Sequence, residues 1–162
     1  MKVLKWLDDN LEKYLTVIFM SVMTVIIFIQ VVARKGFNHS LTWTEELARF
    51  IFIWLVYIGV SLGCKEMKHL RIDPFIKIFP KPVRPYILIL SEVLFFLFAC
   101  YIAYSGFFYV VQVYNSGAYG SATKIPMWIV NLAPCVGFSL AAIREVQAII
   151  YKWKKFKAGE EF

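Results

Sequence analysis

The sequence predicts an all-α integral membrane protein, a bundle of four transmembrane helices. Three observations carry that prediction. Hydrophobic residues make up 60% of the 162 positions, against roughly 45–50% in an ordinary soluble domain. Charged residues are only 18%, and the mean hydropathy is +0.63. The apolar residues also gather into four runs, each close to the ~20 residues with which a helix crosses ~30 Å of hydrocarbon. A disordered chain, a disulfide scaffold and an ordinary water-soluble enzyme are excluded by this composition. Strands of a membrane barrel would be shorter and would alternate polar with apolar residues. Short connections leave little room for a separate catalytic domain, so residues 1–162 read as one membrane domain.

The first run, Leu15 to Ala33, carries no charge. Val31 and Ala33 would suit a signal peptidase. The run is 19 residues long, however, beyond the usual ~7–15 of a signal peptide's apolar core, so a retained span is expected. Before it, Leu4, Leu7, Leu11 and Tyr14 recur at helical spacing, with Lys2, Lys5, Asp8, Asp9 and Glu12 between them. That pattern predicts an amphipathic helix lying on the bilayer.

The second run, Leu47 to Cys64, carries only Arg49. Thr42 and Glu45 have capping-box spacing and predict a helix start. Glu45 and Arg49 stand four apart, in the favourable order for an ion pair. Trp43, Glu45, Glu46 and Arg49 therefore read either as a well-capped helix start or as a polar contact surface at the membrane's outer face. Gly59 and Gly63 form a G-x-x-x-G, which lets another helix approach closely.

In loop 65–85, Asp73 can cap a helix with Pro74 at its first position. Ile72, Phe75, Ile76 and Phe79 would then share one apolar face, ended by Pro80, Pro82 and Pro85. The third run, Tyr86 to about Tyr109, carries only Glu92, and its apolar character persists to Tyr114. Glu92 would lie about 9 Å inside the span at 1.5 Å per residue. A carboxylate at that depth should face protein or water and have a partner, with Lys65 or a cation on another subunit the expected one. The fourth run, Ile125 to Ile143, is uncharged. Asn131 is expected to hydrogen-bond between helices, and Pro134 to kink the span. In the tail 144–162, Trp153 and Phe156 among lysines read as interfacial anchors.

Of the 18 Lys and Arg residues, only Arg34, Lys35, Arg49 and Lys124 fall on one side of these spans; the other 14 lie with both termini and loop 65–85. The positive-inside bias therefore predicts cytoplasmic termini and a cytoplasmic middle loop. The net charge of +7 and pI near 9.3 then point to anionic lipid rather than nucleic acid.

Little chemistry is visible inside the spans. Cys64, Cys100 and Cys135 form no C-x-x-C and read as buried small residues without a redox or metal role. His39 and His69 lie outside the apolar cores, where they could not serve as intramembrane haem ligands. There is no phosphate loop and no nucleophile–base pair at a known spacing. Gly59-x-Ser61-Leu62 is weakly echoed by Gly137-x-Ser139-Leu140, but no inverted pair of broken helices builds a midplane substrate site. No metal and no cofactor are expected. The residues alone leave open a transporter accessory chain, a small integral-membrane redox or enzyme subunit, and a homo-oligomeric exporter working through Glu92.

One pattern is more specific. Trp43-x-Glu45-Glu46-Leu47-x-Arg49 leads into Trp54, Leu55 and Gly59; Lys65 to His69, Ile72 and Asp73 follow; then come Ser121, Ile125, Pro126, Trp128 and a basic end. In order and over nearly the whole chain, this resembles the small membrane subunit of tripartite ATP-independent periplasmic (TRAP) transporters. The resemblance implies a non-enzymatic scaffold beside a large multispan membrane subunit that carries the substrate and sodium sites. It also implies a periplasmic substrate-binding protein as the second partner, an organic acid such as a C4-dicarboxylate or sialic acid as cargo, and residence in the bacterial inner membrane among its lipids.

Overall fold

The computed structural model describes residues 2–36, 41–66 and 83–157. His39, His69, Asp73 and the helix expected at 72–79 lie outside the described residues. The described residues form four α-helices: α1 (Lys2–Gly36), α2 (Thr42–Glu66), α3 (Arg84–Ser116) and α4 (Met127–Lys157). Each contains a segment long and apolar enough to cross a membrane: Asn10–Gly36, Thr42–Lys65, Tyr86–Ser116 and Met127–Ile150.

The amphipathic segment expected ahead of the first span is not a separate element. α1 runs unbroken for 35 residues, about 52 Å at 1.5 Å per residue. No Gly or Pro interrupts it before Gly36, so nothing in the backbone separates an interfacial helix from the span. α3 begins with Pro in its first turn and ends at Gly117, whose φ of 61° makes the left-handed cap and whose N–H bonds to the Tyr114 carbonyl. The fourth helix starts two residues later than the apolar run, because Pro126 pairs with Tyr119 across the preceding hairpin. α4 then continues as one helix through Pro134.

Packing joins α1 to α2, α2 to α4, and α4 to α3. Across the bundle the order is therefore α1, α2, α4, α3. The tightest approach is between α2 and α4 at Gly137, where a Cβ would fall 2.6 Å from the Tyr57 carbonyl oxygen and 2.7 Å from its Cβ. Only glycine fits there. Phe138 beside it meets Tyr57 at 5.9 Å and Phe98 at 5.8 Å between ring centroids, so one ring bridges α2 and α3. The buried apolar positions are mostly small: Ala48, Ala99, Ala133, Ala141 and Ala148, with Val110, Val130, Ile58 and one ring, Phe50. Small residues inside and large ones outside, such as Phe28 and Tyr101, suit helices that associate by close packing while lipid solvates the rest.

Asn131 does not reach between helices. Its Nδ2 donates to the Met127 carbonyl one turn earlier in α4, at 2.9 Å. A short amide side chain can satisfy a donor on its own backbone in this way. Gly59 and Gly63 likewise face open space, with nothing within 4 Å of a would-be Cβ. The expected close approach at G-x-x-x-G is thus not made by any described helix of this chain. Cys64 and Cys135 are half-buried as free thiols, whereas Cys100 is exposed, contrary to the expectation that all three are buried. It sits one position past Ala99, which turns inward to the bundle.

Candidate functional site

Polar side chains gather at the two ends of the bundle. At one end, α3 and α4 are joined by the hairpin of residues 117–126. The Gly120 N–H donates to the Ile125 carbonyl at 2.8 Å, Met127 N–H to Ala118 at 2.9 Å, and Lys124 N–H to Gly120 at 3.2 Å. Lys124 takes a positive φ of 57° to close the turn.

Glu46, from the first turns of α2, holds this hairpin. Its Oε1 accepts from the Ser121 N–H at 2.8 Å, and its Oε2 from Ala122 and Thr123 at 2.9 and 2.6 Å. Successive N–H groups converging on one carboxylate form an anion nest built from backbone. Gly120 makes the approach possible, since a Cβ there would lie 2.8 Å from both Glu46 Oε1 and Thr123 Oγ1. Glu46 is therefore occupied within its own chain and is not a free outward charge.

Its neighbours behave differently. Glu45 and Arg49 form the expected i,i+4 pair at 3.5 Å, but with 65% and 68% of their side chains exposed; such a pair adds little stability. Trp43 is also exposed. α2 does begin at Thr42, yet the buried side chain at this start is Thr44, whose Oγ1 donates to the Leu41 carbonyl at 2.6 Å.

At the opposite end lies a buried charge cluster. Glu12, fully buried, takes the Arg144 Nε at 2.8 Å and the Ser61 hydroxyl at 2.9 Å on Oε1. Lys65 Nζ stands 3.5 Å from Oε2. Arg144, 5% exposed, also donates from Nη1 to Gln147 at 3.0 Å. Glu145, buried on the next position of α4, lies against the Cys64 thiol. Two carboxylates and two cations thus offset one another, and the cluster ties α1, α2 and α4 together. A buried carboxylate is tolerable only with this degree of pairing and hydrogen bonding.

This cluster was not read from the sequence. Glu12 looked like the polar side of an interfacial helix, and Arg144 like the first residue of a basic tail. Lys65, expected to serve Glu92, reaches Glu12. Ser61, a hydroxyl inside an apolar run, was the one available sign. Glu92 itself is half-buried on α3, seven residues before the fully buried Ala99, and two helical turns put both on one face. Among the described residues, no three His, Cys, Asp or Glu side chains are gathered as a metal site would require.

Comparison with known proteins assigns the architecture. The family described as "Tripartite ATP-independent periplasmic transporters, DctQ component" matches residues 23–155. A small permease protein of Haemophilus influenzae, named for TRAP transporters, is 31% identical over 104 residues, 64% of this chain and 62% of that protein. The C4-dicarboxylate TRAP transporter small permease protein DctQ of Vibrio cholerae is 37% identical over 76 residues, 47% of this chain and 33% of its own length. The isethionate TRAP transporter permease protein DctMQ of Oleidesulfovibrio alaskensis is 30% identical over 152 residues, 90% of this chain and 24% of its own. In each case the chain spans less than two thirds of the relative. The chain belongs to the DctQ family of TRAP transporter components, which are membrane permease subunits and not enzymes.

Proposed function

We propose that this DctQ-family chain is the small scaffold subunit of a sodium-coupled, binding-protein-dependent uptake transporter for organic acids. The observation that carries the reading is the match of 90% of this chain to only 24% of a longer permease. The matched segment is one part of that longer permease, and the remainder corresponds to a large multispan subunit that this chain takes as its partner. That subunit carries the substrate and sodium sites.

The chain lies in the bacterial inner membrane with both termini and loop 65–85 in the cytoplasm, a placement supported by the distribution of Lys and Arg. The buried cluster around Glu12 then sits toward the cytoplasm, and the hairpin clasped by Glu46 toward the periplasm. There the hairpin and the exposed Trp43, Glu45 and Arg49 form a firm platform for a periplasmic substrate-binding protein. The cargo is an organic acid of the C4-dicarboxylate or sialic acid type, in keeping with relatives named for C4-dicarboxylates and for sialic acid.

Solubilising the tagged chain from its native membrane tests the reading. A stoichiometric large multispan protein should co-purify, and the pair with a binding protein should restore sodium-dependent uptake in liposomes. Coupled uptake by this chain alone would refute the scaffold role.

A further inference from the structure

The hairpin end of the bundle carries a cavity of about 400 Å³, lined by Tyr114 and Asn115 from the last turn of α3, Gly117 and Tyr119 of the hairpin, and Pro126 and Trp128 at the start of α4. Its size falls in the range of small-ligand sites. No charged side chain lines it, and Lys124, the hairpin's own cation, stands outside it.

The surroundings are nonetheless electrically biased. α3 ends here, and the helix macrodipole places about half a negative charge at a C-terminus. No basic residue stands in its last turn to answer that charge. Tyr114 and Trp128 meet edge to face at 6.0 Å, and the π faces of such rings attract ammonium groups. The Asn115 amide oxygen and the tyrosine hydroxyls add acceptors. The helix end and the ring faces together bias this cavity toward a cation.

The level of the cavity narrows the occupant. It opens where the 31-residue apolar stretch Tyr86–Ser116 ends; at 1.5 Å per residue that stretch matches the ~40–45 Å of a bilayer with its headgroups, so the cavity lies at headgroup level. The ammonium groups found at that level belong to zwitterionic phospholipids. We propose that this cavity binds the amine headgroup of such a lipid, of the phosphatidylethanolamine type, with the ammonium between the end of α3 and the Tyr114–Trp128 pair and the acyl chains along α3 and α4.

The test uses the full purified chain in detergent, with phosphatidylethanolamine and phosphatidylglycerol of identical acyl chains as probes and native mass spectrometry as readout. Phosphatidylethanolamine should be retained roughly three- to tenfold better, the range of a cation–π contact. Asn115→Lys puts a tethered ammonium at the helix C-terminus, a favourable place for it, so the fold should survive while the preference disappears. Trp128→Leu should reduce the preference too, with circular dichroism verifying the helices. Equal retention of the two lipids would overturn the proposal, as would an unchanged preference in Asn115→Lys. Full competition by free ethanolamine would overturn the lipid assignment in favour of a soluble amine. If the isolated chain shows no lipid preference and Asn115→Lys instead breaks assembly with a co-purifying protein, the occupant is a partner's lysine and the lipid proposal fails.

Discussion

Glu12→Ala is the most informative single substitution. The carboxylate is fully buried and answers Arg144 at 2.8 Å, Lys65 at 3.5 Å and Ser61 at 2.9 Å. Its removal leaves two cations with Glu145 as the one remaining carboxylate of the cluster, and breaking a buried pair in this way costs about 3–5 kcal/mol. At roughly 2–4 °C per kcal/mol for a chain of this size, the melting temperature of the purified protein should fall by about 6–20 °C. The loss should fall on α1, since none of the most apolar 18-residue stretch of its span is buried by the rest of the chain. Disulfide trapping between cysteines placed on α1 and α2 should therefore weaken along with the melting temperature. Glu12→Gln retains acceptors for Ser61 and Arg144 and should lie between wild type and Glu12→Ala. Replacing Glu12, Lys65, Arg144 and Glu145 together with methionine should recover most of the loss, because well-packed apolar residues can substitute for a buried ionic cluster. A melting temperature for Glu12→Ala within 2 °C of wild type (about 1 kcal/mol or less) would refute the reasoning and leave α1 held by its apolar contact with α2 alone.

Other expectations are simpler. Gly137→Ala should destabilise the chain by about 1–3 kcal/mol in thermal unfolding, the cost of overpacking, because its Cβ would strike the Tyr57 backbone. Gly59→Ala should be neutral or stabilising by a few tenths to about 1 kcal/mol in the same isolated chain, since its Cβ would enter open space. Gly120→Ala pushes a methyl into Glu46 and Thr123, so amide exchange at Ser121, Ala122 and Thr123 should quicken while the helices stay protected. Unchanged exchange would show that Glu46 does not hold the hairpin. A reporter active only in the cytoplasm should work when fused after Phe162, and a cysteine at Ser116 should react with an impermeant label from outside; the reverse pattern would invert the topology.

The four spans were legible because lipid imposes a length and a composition that a single sequence displays. Their ends were less so. Ile125 and Pro126 are apolar like the helix that follows, and only the bridge to Tyr119 shows that they belong to the hairpin. Long-range polar contacts were illegible for a different reason. Glu12 and Arg144 lie 132 residues apart, and no local periodicity relates them. Glu46 was singled out through its motif, but its neighbours Glu45 and Arg49 offered a visible i,i+4 pair while its true partners are backbone N–H groups, which carry no sequence signature. The glycines teach the same lesson. Gly59 and Gly63 have the recognised spacing and face open space, whereas the contact that demands glycine is at Gly137, isolated in sequence and specified only by where Tyr57 crosses it.

The spatial order α1, α2, α4, α3 has a consequence for biogenesis. The last of the four described helices in chain order, α4, is one of the two inner ones. When α1 and α2 have entered the bilayer, Glu12 has Lys65 and Ser61 beside it but not Arg144, so the first half of the protein holds an incompletely answered carboxylate. α3 arrives before the helix it packs on. Only the arrival of α4 brings Arg144 to Glu12, Gly137 to Tyr57 and Phe138 between Tyr57 and Phe98. The contacts that close the bundle therefore wait for α4, and a chain cut short before Gly137 retains a polar flaw at Glu12 that membrane quality control can recognise.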